Sequence, residues 1–314
     1  MKKSFLISIL LLFAVFFAGC QNTAKTKQTT DSQSDTQQTI TITDTNGKQK
    51  IPFNPKKVVV FDANALDTMN QLGVASKVVG TATQNLPDYL KKFRSVESAG
   101  GIKEPDLEKI NALKPDLIII SGRQADFKEQ LSKIAPTIYL SVDNTKTYES
   151  IKQNIQTIGK IFNKEKLVDK KLEQLDQKIT KLKNKVSQLN EKALFVLYNE
   201  GSLSAFGNGS RFGVVFDTFG FTSADDNIQA SLHGQSVSYE YVLKTNPDIL
   251  FVMDRTKAIG GDTTSQAVND NDLVKQTKAG QNNKVINLNP QVWYLAGSGL
   301  QALDIMIEDV SQAL

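Results

Sequence analysis

Two nineteen-residue segments of this chain, 132 positions apart, follow one pattern. The first runs Pro105–Arg123 (PDLEKINALKPDLIIISGR) and the second Val237–Arg255 (VSYEYVLKTNPDILFVMDR). Glu108 aligns with Glu240, Pro115 with Pro247, Asp116 with Asp248 and Arg123 with Arg255. Each segment reads as a helix, a Pro-Asp break, a buried apolar strand, and an arginine just past the strand end. One such unit in each half argues for two similar α/β lobes. In open α/β sheets ligands bind beyond the carboxyl ends of strands, so facing lobes would aim Arg123 and Arg255 into a shared cleft. A guanidinium fork suits anionic oxygens. A single arginine could as well cap a helix or pair with a surface carboxylate; equivalence across the repeat favours the cleft.

The rest of the chain extends this pattern. Thr39–Thr43 alternates like an edge strand, and Asn46-Gly47 is a turn signal. Short apolar strands are predicted at Val58–Phe61, Val78–Gly80, Leu117–Ile120 and Thr137–Leu140, with a helix over Ala65–Leu72 ended by Gly73. Between 147 and 190 the period changes. Leu172, Leu175, Ile179, Leu182, Val186 and Leu189 recur at spacings of three and four among charged residues, which predicts one long amphipathic helix. The α/β pattern then resumes, with strands at Ala193–Tyr198, Ile249–Met253 and Val285–Leu288 and a helix over Phe212–Phe219. A closing helix is expected over Ser298–Leu314, with Ser298 as its N-cap. The expected fold is thus two α/β lobes with parallel-type sheets, 39–146 and 192–314, joined by a long helical segment over 147–191, with the ligand cleft between the lobes.

The first 38 residues are of another kind. Lys2-Lys3, an apolar run over Phe5–Ala18, and Phe17-Ala18-Gly19-Cys20 have the form of a signal peptide (1–19) closing on a cysteine. The run is short for a membrane span. Small residues before a cysteine resemble the bacterial lipobox, in which the cysteine, here Cys20, becomes the lipidated first residue; Phe17 departs from the usual Leu or Val. An ordinary signal peptide with an incidental cysteine is the alternative. Residues 20–38 are nearly all Gln, Thr, Ser, Asp, Lys and Asn and read as a flexible, lipid-anchored tether.

Composition excludes several functions. Cys20 is the single cysteine and His233 the single histidine, so an intramolecular disulfide and a multi-His/Cys metal site are ruled out. A net charge of +4 without a basic stripe does not indicate nucleic acid. There is no Gly-x-Ser-x-Gly and no serine motif to partner His233, which counts against a surface-anchored hydrolase, and no catalytic residue is predicted.

Further motifs are Ser121-Gly122-Arg123-Gln124, Asn208-Gly209-Ser210-Arg211-Phe212-Gly213, Leu232-His233-Gly234, Met253-Asp254-Arg255 and Trp293-Tyr294. With them the chain resembles, from the lipobox to Leu314, the class III (cluster A-II) substrate-binding lipoproteins of ABC importers, and among them the ferric-catecholate, petrobactin-type siderophore binders. The resemblance implies that Arg123, Arg211 and Arg255 line the cleft. Three such charges would balance the roughly −3 of a ferric tris-catecholate. It further implies that His233 and Tyr294 match residues that coordinate iron where a tetradentate siderophore leaves two places open; phenolate and imidazole both suit ferric iron. Glu108 and Glu240 match the carboxylates that dock on the permease dimer. Trp293, Gln84 and Asn64 are assigned to the ligand-binding wall, and Lys257–Gln266 to a surface loop near it. No intrinsic cofactor is expected, since ferric iron arrives within the siderophore. The implied protein is a monomer, exported and lipid-anchored at the outer face of the cell membrane. Haem, a corrinoid or a hydroxamate siderophore on the same scaffold are the rival cargoes, the last disfavoured by the arginines.

Overall fold

The computed structural model describes residues 38–261 and 268–314. The leader, Cys20, nearly all of the tether and part of the Lys257–Gln266 loop lie outside them. β1 (Thr39–Asp44) and β2 (Gly47–Pro52) form an antiparallel hairpin. It turns at Thr45-Asn46, and Gly47, the next residue, takes a φ of 108° that only glycine adopts without cost.

The first lobe contains β3 (Val58–Val60), α1 (Ala63–Gln71), β4 (Val78–Thr81), β5 (Glu97–Ser98), α2 (Leu107–Leu113), β6 (Leu117–Ile120), α3 (Lys128–Ser132) and β7 (Thr137–Tyr139). Its sheet has the order β5-β4-β3-β6-β7, parallel throughout. Strands covered on both faces must be apolar on both, which is why β3 and β6 are unbroken Val and Ile/Leu runs, fully buried.

α4 (Thr147–Ile161) and α5 (Glu165–Val186) follow. The expected single long helix is therefore two. The chain turns at Phe162–Lys164, with Asn163 at φ 56°. Gly159 on α4 leaves room for Val168 of α5, whose methyl stands 2.5 Å from where a Cβ would lie. The apolar stripe is α5 itself: Leu172, Leu175, Ile179, Leu182 and Val186 are all buried.

The second lobe holds β8 (Lys192–Asn199), β9 (Ser202–Phe206), α6 (Val214–Asp217), β10 (Thr222–Ser223), β11 (Gln235–Val237), α7 (Tyr239–Thr245), β12 (Ile249–Asp254), α8 (Arg255–Ala258), α9 (Asp272–Lys275), α10 (Lys278–Gln281) and β13 (Val285–Asn287). Its sheet runs β11-β9-β8-β12-β13, with β10 beside β8. Here β9 is antiparallel to β8, a hairpin where the first lobe has a crossover. The helix expected over Phe212–Phe219 shrinks to the single turn of α6.

α11 (Pro290–Leu295) and α12 (Leu300–Ser311) close the chain, and α12 lies against α1 and α5. Ser298 is not its N-cap. Gly299 holds that place, with no side-chain cap of its own. Asp67 of α1 does the capping, accepting from Gln301 N at 3.1 Å and Ala302 N at 2.8 Å, while Tyr89 donates to the same carboxylate at 3.1 Å. A Cβ on residue 299 would sit 2.1 Å from Asp67 Oδ2, so the clasp requires glycine. One apolar cluster runs through the inner sheet faces, α1, α4, α5 and α12, and a separate cluster fills the outer face of each lobe.

Candidate functional site

The repeat builds its two halves in the same way. Asp106 and Ser238 cap α2 and α7, and Lys114 and Asn246 end them in left-handed conformations, φ 49° and 47°. The Pro-Asp carboxylates then hold the start of the neighbouring strand. Asp116 Oδ2 accepts from Lys56 N (2.7 Å) and Lys57 N (2.9 Å), and Asp248 Oδ2 from Lys192 N (2.9 Å).

Each strand then delivers its arginine. Past β6, Ser121 and Gln124 form a reciprocal cap, with Ser121 N donating to Gln124 Oε1 at 3.1 Å; this fixes the 3-10 turn Gly122–Phe127 that carries Arg123. Past β12, Asp254 caps α8 through Lys257 N, and Arg255 is the first residue of that helix. Arg211 follows a turn at Asn208-Gly209, with Gly209 at φ 65°. Asp217 accepts from Gly209 N and Asn208 Nδ2, both at 2.8 Å.

The three guanidiniums converge on Tyr294, at the end of α11. Arg123 Nη2 and Arg211 Nη2 donate to the Tyr294 carbonyl at 3.2 and 2.8 Å, and Arg255 Nε donates to the Tyr294 hydroxyl at 2.9 Å. Their Cζ atoms lie 5.9, 4.6 and 5.5 Å from the Tyr294 ring centre, within cation–π range. A carbonyl in the last turn of a helix lacks an intrahelical partner, which frees it to hold two arginines. Arg255 Nη1 also donates to Asn199 Oδ1 at 2.5 Å. None of the three forms a salt bridge with a described carboxylate.

This clustered charge shows in the titrating groups. Burial, then the charge of Arg123, lowers the pKa of Arg211. Burial opposes ionisation of the Tyr294 phenol, but the hydrogen bond and charge of Arg255 and the charge of Arg211 prevail and hold its pKa below the ordinary tyrosine value. Asp62, the N-cap of α1 and part of the cavity wall, is pushed up by burial, against its bonds from Asn64 and the charge of Arg123.

The cavity in front of these groups measures about 640 Å³. Asn64, Lys103, Arg123, Arg211, His233 and Tyr294 line it, with Phe212, Leu232 and Trp293. A larger groove of about 1100 Å³ runs along α4 and α5, lined by Lys152, Glu173, Asp176 and Lys181 among others, and contains none of the predicted residues. Six of the eight predicted ligand-binding residues therefore share one cavity. Arg255 stands behind Tyr294, outside the lining. Gln84 is exposed in the 3-10 turn Thr83–Asn85 and does not reach the cavity. Trp293 is only 2% exposed, and its indole N–H donates to Asp309 at 2.8 Å, so it acts as wall. Asn64 ties the lobes instead, its Oδ1 accepting from Ser298 N at 2.8 Å.

Two participants escaped the sequence reading, Asn199, which accepts from Arg255, and Lys103. Lys103 lies on a hairpin at Gly100–Pro105, where Gly100 has φ 105° and Gly101 N donates to Glu104 O at 2.9 Å. The buried amide of Gln124 donates to Ile102 O, so one side chain fixes both the Arg123 turn and the Lys103 hairpin. The Gly100-Gly101 pair was the available signal. Glu108 and Glu240 are exposed, each the second residue of its helix, and a hydrogen bond with Ser238 lowers the pKa of Glu240.

Residues 58–292 match the periplasmic binding protein family Peripla_BP_2. The chain belongs to this family. It is 46% identical over 319 residues to the petrobactin-binding protein YclQ of Bacillus subtilis (strain 168), covering 100% of this chain and 99% of that one. The crystal structure of YclQ superposes with a TM-score of 0.86 at 48% identity, covering 88% of this chain and 98% of that chain. The ferric-anguibactin-binding protein FatB of Vibrio anguillarum is 37% identical over 279 residues, 86% of each. The periplasmic catecholate-siderophore binding protein VctP of Vibrio cholerae gives a TM-score of 0.82 at 35% identity, covering 88% of this chain and 100% of that one. The two-lobed form of this periplasmic binding protein is thus a family property, and the arginine cluster sits where its lobes meet.

Proposed function

We propose that this chain captures an anionic ferric catecholate siderophore in the arginine cavity and passes it to an ABC permease. The observation that carries the reading is the convergence of Arg123, Arg211 and Arg255 on Tyr294, with none of the three in a salt bridge to a described carboxylate. Like charges held together in a partly dry site cost stability unless an anion completes them. Lys103 on the rim adds to the attraction. The names of similar proteins, petrobactin-binding and catecholate-siderophore binding, point to the same cargo. Binding makes and breaks no bond, so no residue is given a catalytic role.

A siderophore that leaves iron coordination incomplete would find oxygen and nitrogen donors in Tyr294 and His233. The lowered pKa of the Tyr294 phenol favours that role. Delivery would use Glu108 and Glu240, whose equal places on the two lobes suit a permease dimer. Cys20 would carry the lipid that keeps the protein at the outer membrane face, as in relatives named lipoproteins.

Quenching of the single tryptophan, Trp293, provides the test. Ferric catecholate should bind at least about tenfold more tightly than a neutral ferric hydroxamate, with affinity falling as salt rises. Equal affinity for the two, or preference for the hydroxamate, overturns the catecholate assignment.

A further inference from the structure

Large apolar side chains of the described residues are buried almost everywhere. Leu232 is the most exposed exception, at 57%, ahead of the chain-terminal Leu314 at 42% and Ile259 at 39%. It is also the one of these three that lines the arginine cavity. Its loop is held from several sides. Arg211 N donates to Ser231 O at 3.4 Å, and His233 N to Ser231 Oγ at 3.1 Å. Gly234 has φ 76°, and a Cβ there would meet the Phe206 ring at 2.6 Å. These ties seat the loop flat on Phe206 and leave Leu232 at its crest.

From this we infer that Leu232 is a specificity-determining residue, covering the flat face of an aryl group of the bound complex. The inference rests on the ferric catecholate reading. The arginines recognise charge and answer to carboxylate and catecholate oxygens alike. They cannot tell an aryl-bearing complex from a citrate-type complex of similar charge. An apolar side chain that loses water only when an aryl face covers it can, because that gain is absent for a ligand presenting hydroxyls and carboxylates. The held loop lowers the ordering cost of that contact.

The test titrates wild type, Leu232→Ala, Leu232→Asn and Leu232→Phe with a ferric bis- or tris-catecholate and with ferric citrate. The exposed position makes all three variants compatible with folding, which circular dichroism checks. Leu232→Ala and Leu232→Asn should bind the catecholate about tenfold more weakly, about 1.4 kcal/mol, while Leu232→Phe stays within about twofold of wild type. Ferric citrate should change by less than about twofold; where its binding is below detection, the catecholate series decides. Wild-type affinity in the Ala and Asn variants, loss in Phe equal to that in Ala, or equal loss for both ligands overturns the inference while leaving the catecholate reading intact. Failure of wild type to bind catecholate removes that reading and this inference with it.

Discussion

Arg123 and Arg255 hold the same place in the same repeat, yet the two lobes present them differently. The guanidinium of Arg123 hydrogen-bonds a backbone carbonyl of the other lobe and shares it with Arg211. Arg255 is fixed by two side chains of its own lobe, the Tyr294 hydroxyl and the Asn199 amide. The second lobe thus holds its repeat arginine with its own side chains, whereas the first extends its arginine to a carbonyl of the other lobe. A repeat specifies where a charge emerges; the neighbours that hold it are specified by residues outside the repeat. The same lesson applies to the paired Tyr–Asp contacts. Tyr89 donates to Asp67 in the first lobe and Tyr241 to Asp225 in the second, at 3.1 and 2.7 Å. Asp67 is pushed up to about 6 by burial, while the Tyr241 hydrogen bond holds Asp225 below the usual carboxylate range.

The lobes can be set against each other experimentally. The largest difference is expected at the Pro-Asp corners. Asp116→Ala removes two charge-assisted bonds to backbone N–H groups and should cost roughly 3 kcal/mol in urea unfolding; Asp248→Ala removes one such bond and a largely exposed 3.0 Å ion pair with Lys278, and should cost about 2 kcal/mol. Equal losses would mean that the corners do not act through these bonds. Next is the pH dependence of stability. Asp67 has a folded pKa above its unfolded one, so its contribution is full below about pH 4 and is lost as pH rises through about 6, on the order of 2–3 kcal/mol. Asp225 has the opposite sign: its contribution is present above the unfolded carboxylate value and is lost as pH falls through its lower folded value. Asp67→Asn should therefore flatten the decline between pH 4 and 6, and Asp225→Asn the acid limb, in unfolding curves collected across pH. A decline that survives Asp67→Asn would assign it to other groups.

A smaller effect is expected from Tyr294→Phe, which removes one of the two acceptors of Arg255 and leaves the carbonyl that holds Arg123. Ligand affinity should drop about fivefold, and Arg255→Ala should cost less in that background than in wild type, while the cost of Arg123→Ala should not change. Additive losses at Arg255 would show that the hydroxyl does not position it. The smallest effect on binding is expected from Glu108→Ala and Glu240→Ala, each within about twofold in affinity, since both carboxylates are exposed on helices. Uptake by whole cells should nevertheless fall, and more for the pair than for either alone. Full uptake by the double variant would remove the docking role.

Much of this arrangement was legible in the sequence. Strand runs such as Val58–Val60 and Leu117–Ile120 are apolar throughout because parallel strands are covered on both faces, so their positions were read within a residue or two. The α5 stripe was equally plain. The break between α4 and α5 was not, because it rests on Asn163 in a left-handed conformation and on the packing of Val168 over Gly159, neither of which periodicity records. The cap of α12 was missed for a similar reason: Asp67, more than 230 positions away, supplies what a local Ser298 was expected to supply. In the site, Arg123 and Arg255 followed from the repeat. Lys103 and Asn199 did not, since each is brought in by tertiary geometry, through the Gln124 staple and through pairing beside β12 respectively.

The central claim is that arginines of the two lobes hold the anionic ferric complex, Arg123 at the cavity wall and Arg255 from behind Tyr294. Tryptophan-quenching titration of ferric catecholate against Arg123→Ala/Arg255→Ala, at two salt concentrations, tests it most directly. The double variant should bind at least about a hundredfold more weakly than wild type, with a shallower salt dependence. Affinity and salt dependence equal to wild type would contradict it.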